Sequence, residues 1–261
     1  MSICCLLLAA VVDLATIAAA ADFYLADVRQ FPGQLWLSRD GAAERLIFRS
    51  QPTANPAFPR AVMKVAQVAV GPQGEVYFAS GLDGNVLHLL DGRHEVLSFE
   101  YPGQIRDLDC GGEEHTVYFS VVATPQNGET LADGKIYRRD LWAGQPSEAF
   151  TVRQAELGGN WWGTMAIRDG VAYLATLDVP SRIFKLAGGA PERVFEHNTY
   201  KIDGLTSGAD GNFYFTDGSN QVFRTTDFQA IESVWRGNRS FTDVAVWSKA
   251  PATAASRENG N

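Results

Sequence analysis

The sequence predicts an all-β protein, a single β-propeller of four-stranded blades, and three observations support this prediction. Short runs of alternating apolar and polar residues recur along the chain between turns rich in Gly and Asp. Equivalent apolar positions recur at steps of about 40 residues, with one longer step, which matches the length of a blade. They are Val68, Leu108, Met165, Leu205 and Val244. The two ends of the chain also complete a single unit between them.

The clearest unit spans residues 202–224, IDGLTSGADGNFYFTDGSNQVFR. A first strand begins at Leu205, and a Gly/Asp turn leads into an aromatic second strand over residues 213–215. A second turn leads into a third strand over residues 221–224, and residues 231–235 supply the fourth. Four antiparallel strands joined by tight turns are the repeating unit of a propeller.

Looser copies of this unit fill the middle of the chain. Their strands are predicted over residues 65–70, 76–78, 86–90 and 95–99 in the second unit, over 105–108, 117–119, 135–138 and 148–152 in the third, and from Trp161 through 172–174, 182–185 and 192–195 in the fourth. A polar insertion, residues 124–133, lengthens the third unit. Residues 50–60 contain three prolines and predict a linker, since proline donates no hydrogen bond to a sheet.

The first unit has three predicted strands, over residues 23–25, 34–37 and 45–48, and lacks a first strand. Residues 241–247 have the pattern of a first strand and are followed by a polar tail. Pairing the two fragments closes the ring and removes exposed sheet edges. Five blades are counted in this way. A sixth would require a degenerate unit within residues 109–160, and a two-sheet β-sandwich is the alternative fold.

The composition excludes one class of partner. The formal net charge is −8 and no cluster of Lys and Arg occurs, so we expect no nucleic-acid partner. The three cysteines, Cys4, Cys5 and Cys110, show no zinc-binding spacing. No GxSxG, HExxH or other catalytic motif occurs, so no catalytic residue is assigned.

The first 21 residues are predicted to be a signal peptide, because an apolar stretch ends in small residues just before Asp22. No basic residue precedes this stretch and Asp13 interrupts it, which also argues against a stable transmembrane span. We expect an extracytoplasmic monomer, periplasmic or secreted, with a propeller domain over residues 22–248 and a disordered polar tail over 249–261. A mis-assigned start codon or a short N-terminal anchor is the alternative.

Two stretches of the repeats also resemble a known family. They are GPQGEVYFASGLDGNVLHL (residues 71–89) and DGLTSGADGNFYFTDGSNQVFR (residues 203–224), which share a DGN turn and an aromatic "YF" strand. They resemble NHL-type and gluconolactonase-like (senescence-marker-type) β-propellers. The resemblance implies a divalent cation in the central channel, held by acidic and amide side chains from different blades. The family's "DG" before a first strand matches Asp203-Gly204.

Candidate site residues come from the start of each first strand, since these positions line the mouth of a propeller channel. They are Arg106, Asp107, Asp203 and Asp243, joined by the tryptophan pair Trp161-Trp162, which suits stacking against a sugar ring. A structural alternative applies to both groups. The aspartates would accept turn N–H groups and lock neighbouring blades together, and the tryptophans would pack between blades.

These residues support two main hypotheses of function. The first is a non-catalytic module without a cofactor that binds a protein, small molecule or carbohydrate on its channel face. The second is a divergent metal-dependent gluconolactonase-like hydrolase, with Asp107, Asp203 and Asp243 around calcium. A third is a scaffold that makes its contacts through the insertion at residues 124–133. Whether the protein is an enzyme is left open by the sequence.

Overall fold

The computed structural model of the chain describes residues 21–27, 34–49, 65–80, 86–91, 94–100, 105–122, 132–142, 145–198 and 201–248. No helix within these residues is long and apolar enough to span a membrane. The predicted signal peptide (apart from Ala21), the linker, most of the insertion and the tail lie outside the described residues, so those assignments stay predictions.

The strands form five four-stranded antiparallel sheets, which are the blades. Blade 1 consists of β20 (Asp243–Ser248), β1 (Ala21–Ala26), β2 (Gln34–Ser38) and β3 (Arg45–Arg49). Blade 2 consists of β4 (Val65–Val70), β5 (Val76–Ser80), β6 (Val86–Asp91) and β7 (His94–Glu100). Blade 3 consists of β8 (Ile105–Asp109), β9 (Thr116–Val121), β10 (Gly134–Asp140) and β11 (Ser147–Val152). Blade 4 consists of β12 (Met165–Arg168), β13 (Val171–Ala175), β14 (Ser181–Leu186) and β15 (Glu192–His197). Blade 5 consists of β16 (Gly204–Ser207), β17 (Phe213–Thr216), β18 (Gln221–Thr225) and β19 (Glu232–Arg236).

The last strand closes the ring through blade 1. β20 pairs antiparallel with β1 over the full length of both strands, from Ala21 opposite Ser248 to Ala26 opposite Asp243. β1 then pairs with β2, and β2 with β3. The predicted union of three N-terminal strands with one C-terminal strand is therefore confirmed.

The first strands of the blades form a closed inner ring. β20 contacts β4, β4 contacts β8, β8 contacts β12, β12 contacts β16, and β16 returns to β20. This order accounts for five blades in the described part of the chain. The long step between Leu108 and Met165 contains the remaining strands of blade 3 and a four-residue helix, α1 (Gln154–Leu157), which the sequence patterns did not predict.

The hydrophobic core lies between the blades rather than within them. Five clusters of buried residues are present in the described part, and each combines side chains of two adjacent blades. Side chains alternate between the two faces of a sheet, so one strand serves two clusters. In β17, Phe213 and Phe215 pack toward blade 4, whereas Tyr214 packs toward blade 1. This alternation explains the aromatic "YF" pattern of the repeats.

Candidate ligand-binding site at the channel mouth

A cavity of about 540 Å³ lies at the end of the ring where the first strands begin. Every blade contributes to it, because each first strand starts at this mouth. It is lined by Gln67, Arg106, Asp107, Trp162, Thr164, Leu177, Lys201, Asp203, Asp217, Gly218, Thr242 and Asp243. We call it the mouth cavity. Five of the six residues selected from the sequence as ligand-binding candidates line this one cavity.

The sixth candidate, Trp161, does not line the cavity. Its side chain is fully buried in the cluster between blades 3 and 4, and its Nε1–H donates to the carbonyl of Thr164 at 2.9 Å. The amide of Gln154 in α1 bonds to both the N–H and the carbonyl of Trp161. The two alternatives for the tryptophan pair therefore divide between its members, since Trp161 packs between blades and the half-buried Trp162 lines the cavity.

Trp162, at the entry to blade 4, forms a cation–π pair with Arg106 of blade 3. The guanidinium carbon of Arg106 lies 5.7 Å from the centroid of the Trp162 ring. Arg106 also donates through Nε to the carbonyl of Val122 at 3.3 Å, and burial lowers the pKa of its guanidinium. Gly163 follows with φ +117°, where any Cβ would collide with the side chain of Arg106. The close approach of the two blades here requires glycine.

Asp107 and Asp243 occupy equivalent positions and make equivalent bonds. In Asp107, Oδ1 accepts the N–H of Leu108 at 2.8 Å and Oδ2 accepts the N–H of Met165 in blade 4 at 2.6 Å. In Asp243, Oδ1 accepts the N–H of Val244 at 2.9 Å and Oδ2 accepts the N–H of Val68 in blade 2 at 2.7 Å. The second oxygen of each carboxylate therefore binds the main chain of the next blade.

Both carboxylates are hard to ionise. Asp107 and Asp243 are each 3% exposed, and burial raises the pKa of both well above the usual value. The negative charge of Asp243 raises the pKa of Asp107 further, and Asp109 contributes in the same direction to both. The main-chain N–H bonds oppose this shift without cancelling it. The pair therefore resists carrying two negative charges at once.

Asp203 differs from these two aspartates because it is accessible. Its side chain is 14% exposed, and Oδ1 lies 3.4 Å from the ammonium of Lys201. On the facing side, a Cβ at Gly218 would collide with its carboxylate, so the main chain of the turn after β17 lies against it. Asp217 in the same turn accepts the N–H of Ser219 at 3.1 Å. Blade 5 thus presents one lysine and two carboxylates to the cavity.

The described residues do not fit the divalent cation that the family resemblance implies. A hard cation needs several oxygen ligands that converge on one point. Both oxygens of Asp107 and of Asp243 already accept main-chain N–H groups, and Asp203 is paired with Lys201. Among the described residues, no group of three His, Cys, Asp or Glu side chains is arranged to hold a metal ion.

A second, smaller cavity lies at the opposite mouth, with a volume of about 280 Å³. Asp109 is buried in its wall and accepts N–H groups from Gly111, from Ile167 in blade 4 and from Ser207 in blade 5. Burial raises the pKa of Asp109 to about 6 despite these bonds. Asp107 and Asp109 lie two residues apart on β8, and Asp107 lines the mouth cavity whereas Asp109 lines the smaller cavity.

Sequence reasoning missed several residues of the mouth cavity. Lys201, Asp217, Gly218 and Leu177 come from connections rather than from the start of a first strand. A signal was present for Lys201, since it precedes Asp203 by two residues in the same connection. None was present for Leu177, which reaches the cavity from the turn after β13.

Comparison with known proteins finds similar solved structures at low sequence identity. No protein-family model matches the sequence, and no curated protein matches it. A gluconolactonase from Xanthomonas campestris is 12% identical over 86% of this chain and 79% of its own, with a TM-score of 0.48. Regucalcin, a calcium-binding protein from Agrobacterium tumefaciens, is 18% identical over 85% of this chain and 77% of its own, with a TM-score of 0.46.

A third similar structure has a different activity. Virginiamycin B lyase from Staphylococcus aureus, solved as a catalytically inactive variant with quinupristin, is 16% identical over 80% of this chain and 69% of its own, with a TM-score of 0.42. Each of these three structures has a TM-score below 0.5 and a sequence identity below 25%, so none of them assigns a family to this chain. Since propellers host unrelated activities, no function is transferred from them.

Proposed function

We propose that the protein is a ligand-binding β-propeller that holds a small polar molecule, of the size and chemistry of a carbohydrate, in the mouth cavity. The observation that supports this proposal is the composition of the cavity wall. One half-buried tryptophan, two cationic side chains and the carboxylates of Asp203 and Asp217 line the same space, and they come from blades 3, 4 and 5.

The dimensions and chemistry of the cavity suit such a ligand. Its volume of about 540 Å³ falls within the range of small-molecule sites, roughly 300–1,000 Å³. The face of Trp162 would stack against a sugar ring, while Asp203 and Asp217 would accept hydroxyl groups. Arg106 and Lys201 would donate to hydroxyl or acidic oxygens. None of these residues is assigned a catalytic role.

A thermal-shift screen with sugars and sugar acids tests the proposal, followed by calorimetry on the best binder. Trp162→Ala is the test variant. Trp142→Ala is its matched control, because Trp142 is 63% exposed and is not part of the cavity wall. Loss of the Trp162 stacking surface should weaken binding by roughly tenfold or more, which corresponds to about 1.4 kcal/mol. Equal affinity in the two variants, or no binder at millimolar concentration, would reject the proposal.

Hydrolysis in the same cavity is a second candidate function. The observation that favours it is the gathering of two carboxylates with raised pKa, Asp107 and Asp243, beside cationic side chains, since perturbed titration is common in active sites. Lactone hydrolysis by the wild type, measured with calcium and with a chelator, tests it. Activity that Asp203→Asn abolishes would support an enzyme, and the absence of turnover would leave the binding module.

We also propose that the protein acts outside the cytoplasm, as a monomer, after removal of the predicted leader. Mass spectrometry of the protein recovered from its native compartment tests the export of the chain and the removal of the leader. A mature chain that begins near Asp22 is expected. A chain that retains residues 1–21 inside the cell would contradict export.

A further inference from the structure

The buried carboxylates Asp107, Asp109 and Asp243 share a feature that the binding proposal does not use. Each joins blades through main-chain N–H groups. Asp243 connects blade 1 to Val68 in blade 2, and Asp107 connects blade 3 to Met165 in blade 4. Asp109 spans three blades, because one of its oxygens accepts the N–H groups of both Ile167 and Ser207.

These bonds lie on the inner ring, where the first strands of the blades meet. The first strands of different blades are not paired with each other in a sheet, and buried main-chain N–H groups need an acceptor, which here is a side chain. An aspartate that precedes the apolar position of a first strand reaches the N–H of the equivalent position in the next blade, as Asp107 reaches Met165 and Asp243 reaches Val68.

Two of the other three blades make this contact with their neighbour in a different way. At the position equivalent to Asp107, blade 4 has Thr164, whose hydroxyl donates to the carbonyl of Asp203 in the connection to blade 5 at 3.3 Å. Blade 5 has Gly204, and a Cβ there would lie 2.6 Å from the Cα of Asp243. Thus one interface uses a hydroxyl and another uses direct main-chain packing, whereas aspartates serve two interfaces.

We propose that Asp107, Asp109 and Asp243 are interblade hydrogen-bond acceptors that hold the inner ring together in place of a central divalent cation. The ring of a propeller with a bound cation is cross-linked by ligands from several blades that converge on the ion. In this chain, carboxylate oxygens accept main-chain N–H groups of the adjoining blades directly. Folding stability is therefore independent of calcium.

Thermal unfolding of five variants tests the cross-linking. Asp107→Ala and Asp243→Ala each remove an acceptor for two buried N–H groups, and we expect the melting temperature to fall by roughly 5–10 °C. The corresponding Asn variants keep one acceptor oxygen and should recover part of the loss. Asp227→Ala is the matched control, because Asp227 accepts the N–H of Gln229 within its own exposed turn. Its melting temperature should change by less than about 2 °C.

The wild-type protein tests the second half of the proposal and needs no variant to fold. Its melting temperature in millimolar calcium and in excess chelator should agree within about 1 °C, since a ligand at 100 times its Kd stabilises a fold by about 2.7 kcal/mol and shifts the melting temperature by several degrees. A calcium-dependent rise that Asp107→Asn or Asp243→Asn abolishes would overturn the proposal. So would Ala variants that are as stable as Asp227→Ala. If an Ala variant does not fold, the wild-type comparison decides.

Discussion

Replacement of Gly163 by Ala should disturb the mouth cavity more than Ala at another glycine of positive φ that has open space around it. Gly163 has φ +117°, and a Cβ would collide with Arg106 and lie 2.7 Å from Oγ of Ser120. An L-residue at positive φ costs about 1–2 kcal/mol, and overpacking adds about 1–3 kcal/mol. The free energy of unfolding should therefore fall by about 2–5 kcal/mol.

Gly112→Ala provides the control for backbone strain. Gly112 has φ +77°, and nothing lies within 4 Å of the position of its Cβ. Only the backbone cost applies there, so the free energy of unfolding should fall by about 1–2 kcal/mol. Since 1 kcal/mol corresponds to roughly 2–4 °C in a domain of this size, thermal unfolding separates the two variants.

The same two variants also test whether the backbone at Gly163 affects ligand binding in the mouth cavity. Gly163→Ala should also move Arg106 away from Trp162 and weaken ligand binding, whereas Gly112→Ala should leave affinity unchanged. Equal melting temperatures for the two variants would show that the Arg106 side chain relaxes freely. That result would refute the claim that the close approach of blades 3 and 4 requires glycine.

Three further predictions concern the ring, the core and pH. Deletion of residues 243–261 removes β20 and should give aggregated, poorly folded protein in size-exclusion chromatography, whereas deletion of residues 249–261 keeps β20 and should preserve the melting temperature. Trp161→Ala should lower the free energy of unfolding by about 3–5 kcal/mol in denaturant titrations, and a loss below 1 kcal/mol would contradict its assignment as an anchor. Burial raises the pKa of Asp109 to about 6 in the folded state, so the proton stays bound there after the unfolded chain has lost it. Stability should therefore fall by up to about 3 kcal/mol as the pH rises from about 4 to 6, and Asp109→Asn should flatten that part of the profile; parallel profiles would contradict this.

The architecture was predictable because each blade repeats a pattern with a direct physical cause. Phe213, Tyr214 and Phe215 are all apolar since both faces of β17 pack against other blades. The turns before and after that strand contain Gly211 and Gly218, both at positive φ, where glycine is tolerated without strain. Ring closure followed from counting strands at the two ends of the chain.

The sequence predicted where the candidate residues lie but not the contacts of each side chain. Asp107, Asp203 and Asp243 lie near the start of first strands and line the mouth cavity, yet the sequence does not show in which direction each carboxylate points. Asp107 turns toward the main chain of blade 4, whereas Asp203 turns toward Lys201 and solvent. The two tryptophans show the same difficulty, because adjacent residues at a strand entry face opposite sides, and only the packing of blades 3 and 4 selects Trp161 for burial.

The division of the core between blades has a consequence for how the chain acquires its structure. Since every described cluster needs side chains from two blades, a single blade has too little apolar surface of its own to fold alone. Of the strands that form the ring, β1, β2 and β3 are synthesised before the other blades, and their partner β20 is synthesised after them. The edge of β1 that pairs with β20 therefore stays unpaired until residue 248 has been synthesised, and during that time it is open to pairing with other chains. Pairing of β20 with β1 is the step that closes the ring.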